Sequence, residues 1–212
     1  MILTVFGATG QVGKRIVRYA LAKGHTVRAF GRNITKLIDE DIRNDQLKAI
    51  KGAVFDEGEV LNAISGADAV LSVLGGSFDG IDKARSLGMK NIVAQMEKAG
   101  VKRIIALGNF GILSSPEGGF LMDESDFPKE YLPVANEHKQ AYLYLKDSNL
   151  DYTFVCAPDI KDEEATEEYV TSETYPPASD KFYITTGDLA HFMVNEAEQQ
   201  KHERERVGIC AA

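Results

Sequence analysis

The segment 7–13 constrains the fold more than any other part of this chain, because it places glycine at positions 7, 10 and 13. It follows the apolar run 2–6, which is typical of a buried strand, and it precedes a helical pattern of apolar residues. Such a turn lets a pyrophosphate approach the backbone and meet the N–H groups at the start of a helix. We therefore predict a dinucleotide site, with a tight connection that binds nothing as the alternative. The residues expected to line it are Gly7, Thr9, Gly10, Gln11, Val12 and Gly13.

Apolar strands alternate with helical patterns along most of the chain. After the first strand, further strands are predicted over 26–30, 53–55, 69–74, 103–107 and 152–157, with a charged helix through the forties that ends near residue 51. A last helix is expected from residue 187, with Asp188 as its N-cap, and a closing strand over 207–210. This alternation predicts an α/β fold: a three-layer, doubly wound parallel sheet in the order 3-2-1-4-5-6, with a small C-terminal addition.

Length and charge limit the classes of protein to consider. The 212 residues suffice for one core, so we expect a single domain over 1–212, whose part from about residue 158 contributes to the substrate side. A net charge of −8 argues against a nucleic-acid partner and against attraction to an anionic membrane. The chain begins with a strand pattern rather than a signal peptide, and its two cysteines lack metal-binding spacing. A cytoplasmic protein without a metal site is expected, as a monomer or a weak homodimer.

Parallel strands bring their carboxyl ends to one edge of the sheet, where ligands bind. Arg32 follows the second strand, where an arginine accommodates the 2′-phosphate of NADP and an acidic residue binds the ribose of NAD. The first acidic residue after this strand is Asp39, so Arg32, together with Lys36, favours NADP. A solvated loop arginine is the alternative. Asp56 is expected either to accept a hydrogen bond from the adenine amino group or to cap the next helix.

The remaining strand ends add candidates for the cofactor and for the chemistry. Phe55 lies beside Asp56, and Leu74 and Gly75 end the fourth strand, where the glycine either permits close approach of a cofactor or forms a simple turn. Asn109 follows the fifth strand, near the expected nicotinamide, and Pro158 follows the sixth. Residues 108–133 form a long loop rich in aromatic side chains, which is expected to be a wall of the substrate site, part of the core, or a lid.

A Tyr-x-x-x-Lys pattern occurs at Tyr142 and Lys146, as in the catalytic signature of short-chain dehydrogenases. The helix that carries it must run from the ligand edge of the sheet to the opposite edge before the sixth strand begins. Lys146 lies within about one turn of the end of that helix, which places it at the wrong edge. His138 lies roughly 15 Å before the end of the helix, near the ligand edge of the sheet, and is the better catalytic candidate. A buried, hydrogen-bonded core histidine is the alternative.

Several segments resemble the atypical short-chain dehydrogenase/reductases with an NAD(P)-binding domain. These are the glycine turn, the arginine after strand two, the aspartate after strand three, and residues 70–75. Residues 137–148, 152–160 and 187–193 resemble the biliverdin-IXβ/flavin reductases in particular. The resemblance covers nearly the whole chain, except for residues 111–134. It implies NADP as the cofactor and hydride transfer to a flavin or an open tetrapyrrole in a shallow, permissive site.

The family pattern also implies roles for single residues. His138 falls on a histidine of that pattern, whereas Asn109 falls where the family has a serine. Val134 and His138 fall where many relatives have the tyrosine and the lysine of the catalytic pair. Reduction of a ketone needs a proton donor for the developing alkoxide, so the missing pair predicts poor ketone reduction. A flavin or quinone delocalises the charge, so the protein would mainly hold two rings face to face. His138 and Asn109 are the candidate catalytic residues.

Three functions are consistent with these observations. The first is an NADPH-dependent reductase, preferring NADPH over NADH, whose partner is a small planar aromatic acceptor such as a flavin, a quinone or a tetrapyrrole. The second is an NmrA-like sensor, which binds NADP without turnover and acts on another protein. The third, a nucleotide-sugar epimerase or dehydratase, is weaker because such enzymes need the tyrosine–lysine pair and a larger C-terminal substrate domain.

Overall fold

The computed structural model describes residues 1–35, 37 and 44–212. The strands of its main sheet are β1 (Ile2–Phe6), β2 (Thr26–Gly31), β3 (Leu47–Lys51), β4 (Ala69–Ser72), β5 (Arg103–Asn109), β6 (Asp151–Ala157), β8 (Tyr169–Glu173) and β10 (Glu205–Ala211). They lie in the order β3-β2-β1-β4-β5-β6-β10-β8. Every neighbouring pair is parallel except β8 with β10. The strands β7 (Asp159–Lys161) and β9 (Tyr183–Thr185) form a separate parallel pair. The predicted order 3-2-1-4-5-6 is confirmed.

Helices cover both faces of the sheet. The α-helices whose bounds the described residues give are α1 (Gln11–Ala22), α2 (Glu57–Ile64), α3 (Ser86–Ala99), α4 (Leu132–Lys146) and α5 (Thr186–Gln199). Of these, α1 and α5 pack on one face, and α2, α3 and α4 pack on the other. The predicted three-layer architecture is therefore confirmed.

Strand β1 shows why the central strands could be recognised in the sequence. Leu3 and Val5 point into the core beneath α1 and α5, whereas Phe6 points into the opposite core. Thr4 also faces that second side, where its hydroxyl donates to the carbonyl of Ala63 at 2.8 Å. Because both faces of the sheet are covered, a central strand is apolar almost throughout rather than alternating.

The predicted third strand over 53–55 and the predicted helix ending near residue 51 are wrong. The third strand is β3, and Asp56 therefore does not close a strand. β3 lies at the edge of the sheet, where Lys48 and Lys51 are exposed and its apolar residues are only half-buried. Such an edge strand lacks the continuous apolar run of a central strand. Residues 36 and 38–43, which include Lys36 and Asp39, lie outside the described residues.

Asp188 was predicted to cap the last helix, but the N-cap of α5 is Thr185, whose hydroxyl accepts from the backbone N–H of Asp188. The carboxylate of Asp188 instead accepts hydrogen bonds from the backbone N–H groups of Thr166 and Glu167, both at 2.8 Å. Asp188 is fully buried, so these bonds tie the segment after β7 to the start of α5. No helix in the described parts of the chain is long and apolar enough to span a membrane.

Candidate functional site

A cleft of about 740 Å³ runs along the carboxyl ends of the strands. Four strand spacings separate β2 from β6, which corresponds to roughly 19 Å. We call the part lined by residues after β2 and β3 the β2 end, and the part lined by α4 and by residues after β4, β5 and β6 the β6 end. Every described residue that was predicted for the site, except Asp56, lines the cleft. These residues are Gly7, Thr9, Gly10, Gln11, Val12, Gly13, Arg32, Phe55, Leu74, Gly75, Asn109, His138 and Pro158.

The glycine turn forms the floor of the cleft between its two ends. Gly7 has a φ of +81°, and a Cβ there would lie 2.3 Å from the carbonyl oxygen of Val73. A Cβ at Gly13 would lie 2.1 Å from the oxygen of Gly7, so this glycine allows α1 to pack against the turn. At Gly10 a Cβ would contact only the Gly7 oxygen, at 3.4 Å.

The start of α1 is free to bind an anion. Gly10 is the N-cap, no side chain caps the helix, and its first turn contains no acidic residue. The first N–H groups of a helix have no partner within the helix, and its dipole favours negative charge there. The residues present therefore fit a dinucleotide, because the glycines leave room for a pyrophosphate directly above these N–H groups.

The β2 end carries one positively charged lining residue among those described. Arg32 is exposed on the turn after β2, and Phe55, which is 58% exposed, lies in the same end of the cleft. Asp56 points elsewhere: its carboxylate accepts a hydrogen bond from the N–H of Glu59 at 2.8 Å and caps α2. The structure thus favours the capping alternative for Asp56.

The β6 end brings Asn109 and His138 to the same cleft. Asn109 ends β5, and its side-chain oxygen accepts from the N–H of Gly111 at 2.9 Å, so the carboxamide is held in place. His138 lies on α4, two turns from the start of the helix. Burial lowers the pKa of the His138 imidazole to about 3, and the positive charge of Arg85 adds to the effect. His138 is therefore neutral at physiological pH and offers hydrogen bonds rather than a charge.

Arg85 is a cleft residue that the sequence reasoning missed. It is 7% exposed, and its guanidinium donates to the carbonyl oxygens of Gly76 and Ser77, each at 3.0 Å. Burial lowers the pKa of Arg85, and the carboxylates of Asp82 and Glu137 oppose this. The guanidinium thereby shapes the loop that follows β4. Arg85 lies 52 residues before Glu137 and 53 residues before His138, so no local spacing in the sequence indicated that these three residues lie close together.

Tyr131, one of the aromatic residues predicted for a wall of the substrate site, belongs to the β6 end. It lines the cleft, and its hydroxyl donates to Asp159 at 3.0 Å. This hydrogen bond raises the pKa of Tyr131, so the phenol holds its proton at neutral pH. Of the aromatic residues predicted to form a wall, only Tyr131 lines the cleft; Phe110 and Phe127 stack on each other behind it, with ring centroids 5.3 Å apart.

Tyr142 and Lys146 do not belong to the cleft, as the helix-length argument predicted. Tyr142 is buried on the underside of α4, where its ring packs against Phe154 with a centroid distance of 5.4 Å. Lys146 is the last residue of α4, at the opposite edge of the sheet.

Comparison with known proteins agrees with this geometry. The sequence model of the NAD(P)H-binding family matches residues 7–200. The chain belongs to the NAD(P)H-binding family. The match begins at the first glycine of the turn and ends one residue after α5, so it includes all strand ends that line the cleft. The resemblance to the atypical short-chain dehydrogenase/reductases is thereby confirmed.

Three members of this wider group illustrate the similarity. YwnB of Bacillus subtilis, whose function is uncharacterised, is 26% identical over 218 residues that cover 100% of this chain and 99% of YwnB. A solved structure from Streptococcus pneumoniae, provisionally named an NADH-flavin reductase, is 27% identical with a TM-score of 0.83 over both whole chains. The photosystem II assembly factor Ycf39 of Synechocystis is 27% identical over 93% of this chain. The chain spans only 59% of the length of Ycf39.

The lowered pKa of His138 predicts acid sensitivity of this NAD(P)H-binding domain. An unfolded histidine binds a proton near pH 6.5, whereas folded His138 does so only near pH 3. Stability from this group is thus complete above pH 6.5 and decreases as the pH falls, by at most about 1.4 kcal/mol per pH unit. We expect the melting temperature to fall from pH 6.5 towards about pH 5, and less steeply in His138→Gln. If the melting temperatures of the two proteins fell equally with pH, the lowered pKa of His138 would be contradicted.

Proposed function

We propose that the protein is an NADPH-dependent oxidoreductase that transfers a hydride to a flat, conjugated acceptor such as a flavin, a quinone or a tetrapyrrole. The observation that carries this proposal is the composition of the cleft. Its glycine turn lies between Arg32 at one end and a β6 end lined by Phe78 and Tyr131. Arginine after β2 is suited to a 2′-phosphate, and NADPH bound there would supply the hydride.

The chain's own contribution is to hold and orient two rings. Phe78 lies at the β6 end with 72% of its surface exposed, and the guanidinium of Arg85 lies over its ring at 6.0 Å from the centroid. The opposite face of the ring is therefore the one that suits stacking. Asn109 uses its oxygen for Gly111 and keeps its amide N–H groups as donors. Neutral His138 supplies one ring donor and one acceptor. These donors and acceptors can hydrogen-bond to the polar edges of a flat ring. The proton that the reduced acceptor needs comes from solvent.

A direct assay tests the proposal. Purified protein is mixed with NADPH and, in separate reactions, with riboflavin, flavin mononucleotide and a panel of quinones, and NADPH oxidation is followed by absorbance. We expect saturable turnover above the rate without enzyme for at least one acceptor. Tight NADPH binding without turnover would support the second candidate, a NADP-binding sensor. That candidate is supported by the lack of a tyrosine–lysine pair among the described residues of the cleft.

Arg32→Ala tests the preference for NADPH over NADH. Because a charge-assisted hydrogen bond contributes about 1.5–3 kcal/mol, we expect the Kd for NADPH to rise about tenfold or more. The Kd for NADH, which lacks the 2′-phosphate, should hardly change. Arg18→Ala is the matched control, since Arg18 is exposed on α1 and does not line the cleft. Equal weakening of NADPH and NADH by Arg32→Ala would reject the role of Arg32.

The partner in this proposal is a small molecule. The net charge of −8 supports a protein that binds neither nucleic acid nor an anionic membrane. We propose that the protein is cytoplasmic and is a monomer or a weak homodimer. Sedimentation of the purified protein would test the oligomeric state.

A further inference from the structure

The β6 end of the cleft contains few charged groups, and their arrangement bears on which acceptor binds. Among the described lining residues, the acids and bases of this end are Asp82, Arg85 and Asp159. His138 also lies here but is neutral at physiological pH. The lining therefore carries two carboxylates against one guanidinium.

The guanidinium of Arg85 is already committed to groups of the protein. It donates to the carbonyl oxygens of Gly76 and Ser77, and it faces the carboxylates of Asp82 and Glu137. Glu137 is itself paired with Lys83, whose ammonium lies 2.6 Å from its carboxylate. Arg85 is also almost completely buried. A phosphate or carboxylate of an acceptor would have to compete with all of these partners.

Asp159 is the carboxylate of the lining that keeps its charge exposed. It lies directly after Pro158, and its side-chain oxygen accepts from the hydroxyl of Tyr131. No cation of the described residues lies within ion-pair distance of it. The nearest basic residue in sequence, Lys161, places its ammonium 3.4 Å from the centre of the Tyr183 ring. The negative charge of Asp159 therefore acts on whatever occupies the β6 end.

This end also exposes apolar side chains. Phe78 and Ile160 line it while remaining 72% and 38% exposed. Tyr131 adds a ring, which packs edge-on against Phe110 with centroids 5.8 Å apart. An exposed apolar patch inside a cleft is suited to stacking with an uncharged ring.

We propose that the β6 end selects an uncharged flat acceptor, such as a quinone or an unphosphorylated flavin, and that Asp159 disfavours acceptors carrying a phosphate or carboxylate. This inference rests on the proposed function and names the substrate class of the same site. The neutral acceptor gains one hydride from NADPH and one proton from solvent, giving the hydroquinone or dihydroflavin and NADP⁺. Selection by repulsion acts through the charge of the acceptor and leaves the ring chemistry unchanged.

Riboflavin and flavin mononucleotide form the test pair, because they share the reacting ring and differ by a phosphate of nearly two negative charges. We expect kcat/KM to be higher for riboflavin than for flavin mononucleotide. The ratio of the two kcat/KM values should decrease as the ionic strength is raised from about 0.01 M to about 0.15 M, because salt screens the repulsion. In Asp159→Asn the ratio of kcat/KM for riboflavin to kcat/KM for flavin mononucleotide should fall about fivefold. Asparagine still accepts the Tyr131 hydrogen bond, so only the charge is removed.

Asp147→Asn is the matched control, because Asp147 is exposed after α4 at the opposite edge of the sheet. It should leave the ratio unchanged. Equal kcat/KM values for both flavins at low salt, or the same ratio in wild type and Asp159→Asn, would overturn the inference while leaving the proposed function intact. If neither flavin nor any quinone is reduced, the proposed function fails. In that case the affinities of the two flavins for the NADP-loaded protein are measured by flavin fluorescence, which tests the inference separately. Tighter binding of riboflavin than of flavin mononucleotide supports the inference, and equal affinities overturn it.

Discussion

Gly10→Ala is expected to abolish most NADPH affinity while leaving the fold intact. Gly10 has φ −75° and ψ 170°, a conformation that alanine adopts without strain. The added methyl would contact only the Gly7 oxygen at an ordinary 3.4 Å. It would, however, stand at the start of α1, where a pyrophosphate must approach the N–H groups. We expect the Kd for NADPH to rise at least tenfold, with a change in unfolding free energy within about 0.5 kcal/mol.

Gly13→Ala, three residues further, should behave differently. Its Cβ would lie 2.1 Å from the oxygen of Gly7 and 2.8 Å from the Cα of Ala8. Both atoms belong to the backbone, so the clash cannot be relieved by a side-chain rotation. Overpacking of this kind costs about 3 kcal/mol, which corresponds to a melting temperature lower by roughly 6–12 °C for a chain of this size.

Thermal melts and NADPH titrations of the two variants separate the two roles of the turn. Gly58→Ala is the control for adding a methyl group, since Gly58 lies on α2 outside the cleft lining and its Cβ would meet nothing closer than 3.4 Å. It should keep NADPH affinity and gain up to about 1 kcal/mol of stability. If Gly10→Ala binds NADPH as tightly as wild type, the phosphates do not lie on this turn.

The central part of the fold could be predicted because buried parallel strands are apolar along most of their length. This holds for β1, β2, β4, β5 and β6, and the glycine turn then orders the strands around β1. The edge strand β3 escaped prediction because partial burial and two lysines left it without such a run. Strand β7 has three residues, too few for any periodicity to appear.

The strand ends of the cleft could be predicted from topology alone, whereas its tertiary pairs could not. Arg32, Asn109 and Pro158 each come within two residues of the end of a predicted strand, so the sheet order brings them together. The contact of Tyr131 with Asp159 joins residues 28 positions apart from a loop and a strand end. The role of Asp56 also could not be decided, because a carboxylate at a loop-to-helix junction serves equally well as a ligand or as a cap.

Glu196→Gln is expected to cause a large loss of stability without affecting the cleft. Glu196 on α5 and Arg103 at the start of β5 are 3% and 4% exposed, and their charged atoms are 2.7 Å apart. Arg103 also donates to the hydroxyl of Thr153 at 2.8 Å, and Glu196 accepts from the N–H of His202 at 2.9 Å. Burial lowers the pKa of Arg103, and the Glu196 carboxylate opposes that shift.

Removing one partner of this pair leaves a buried charge without compensation. Such a change costs about 3–5 kcal/mol, so the melting temperature should fall by roughly 6–20 °C. The Kd for NADPH should stay the same, because the pair lies at the amino-terminal edge of the sheet, opposite the cleft. Chemical denaturation and NADPH titration of the same preparation measure both quantities.

Glu198→Gln supplies the comparison on the same helix. Glu198 pairs with Lys23 while both side chains remain more than a quarter exposed, and such pairs contribute less than about 1 kcal/mol. Glu198 also lies 2.8 Å from Nε2 of the buried His25, and glutamine keeps an acceptor for that contact. The double variant Arg103→Met with Glu196→Met should recover most of the lost stability, because it removes both buried charges and replaces them with apolar volume. If Glu196→Gln lowered the free energy of unfolding no more than Glu198→Gln does, the buried pair of Arg103 and Glu196 would not couple α5 to β5.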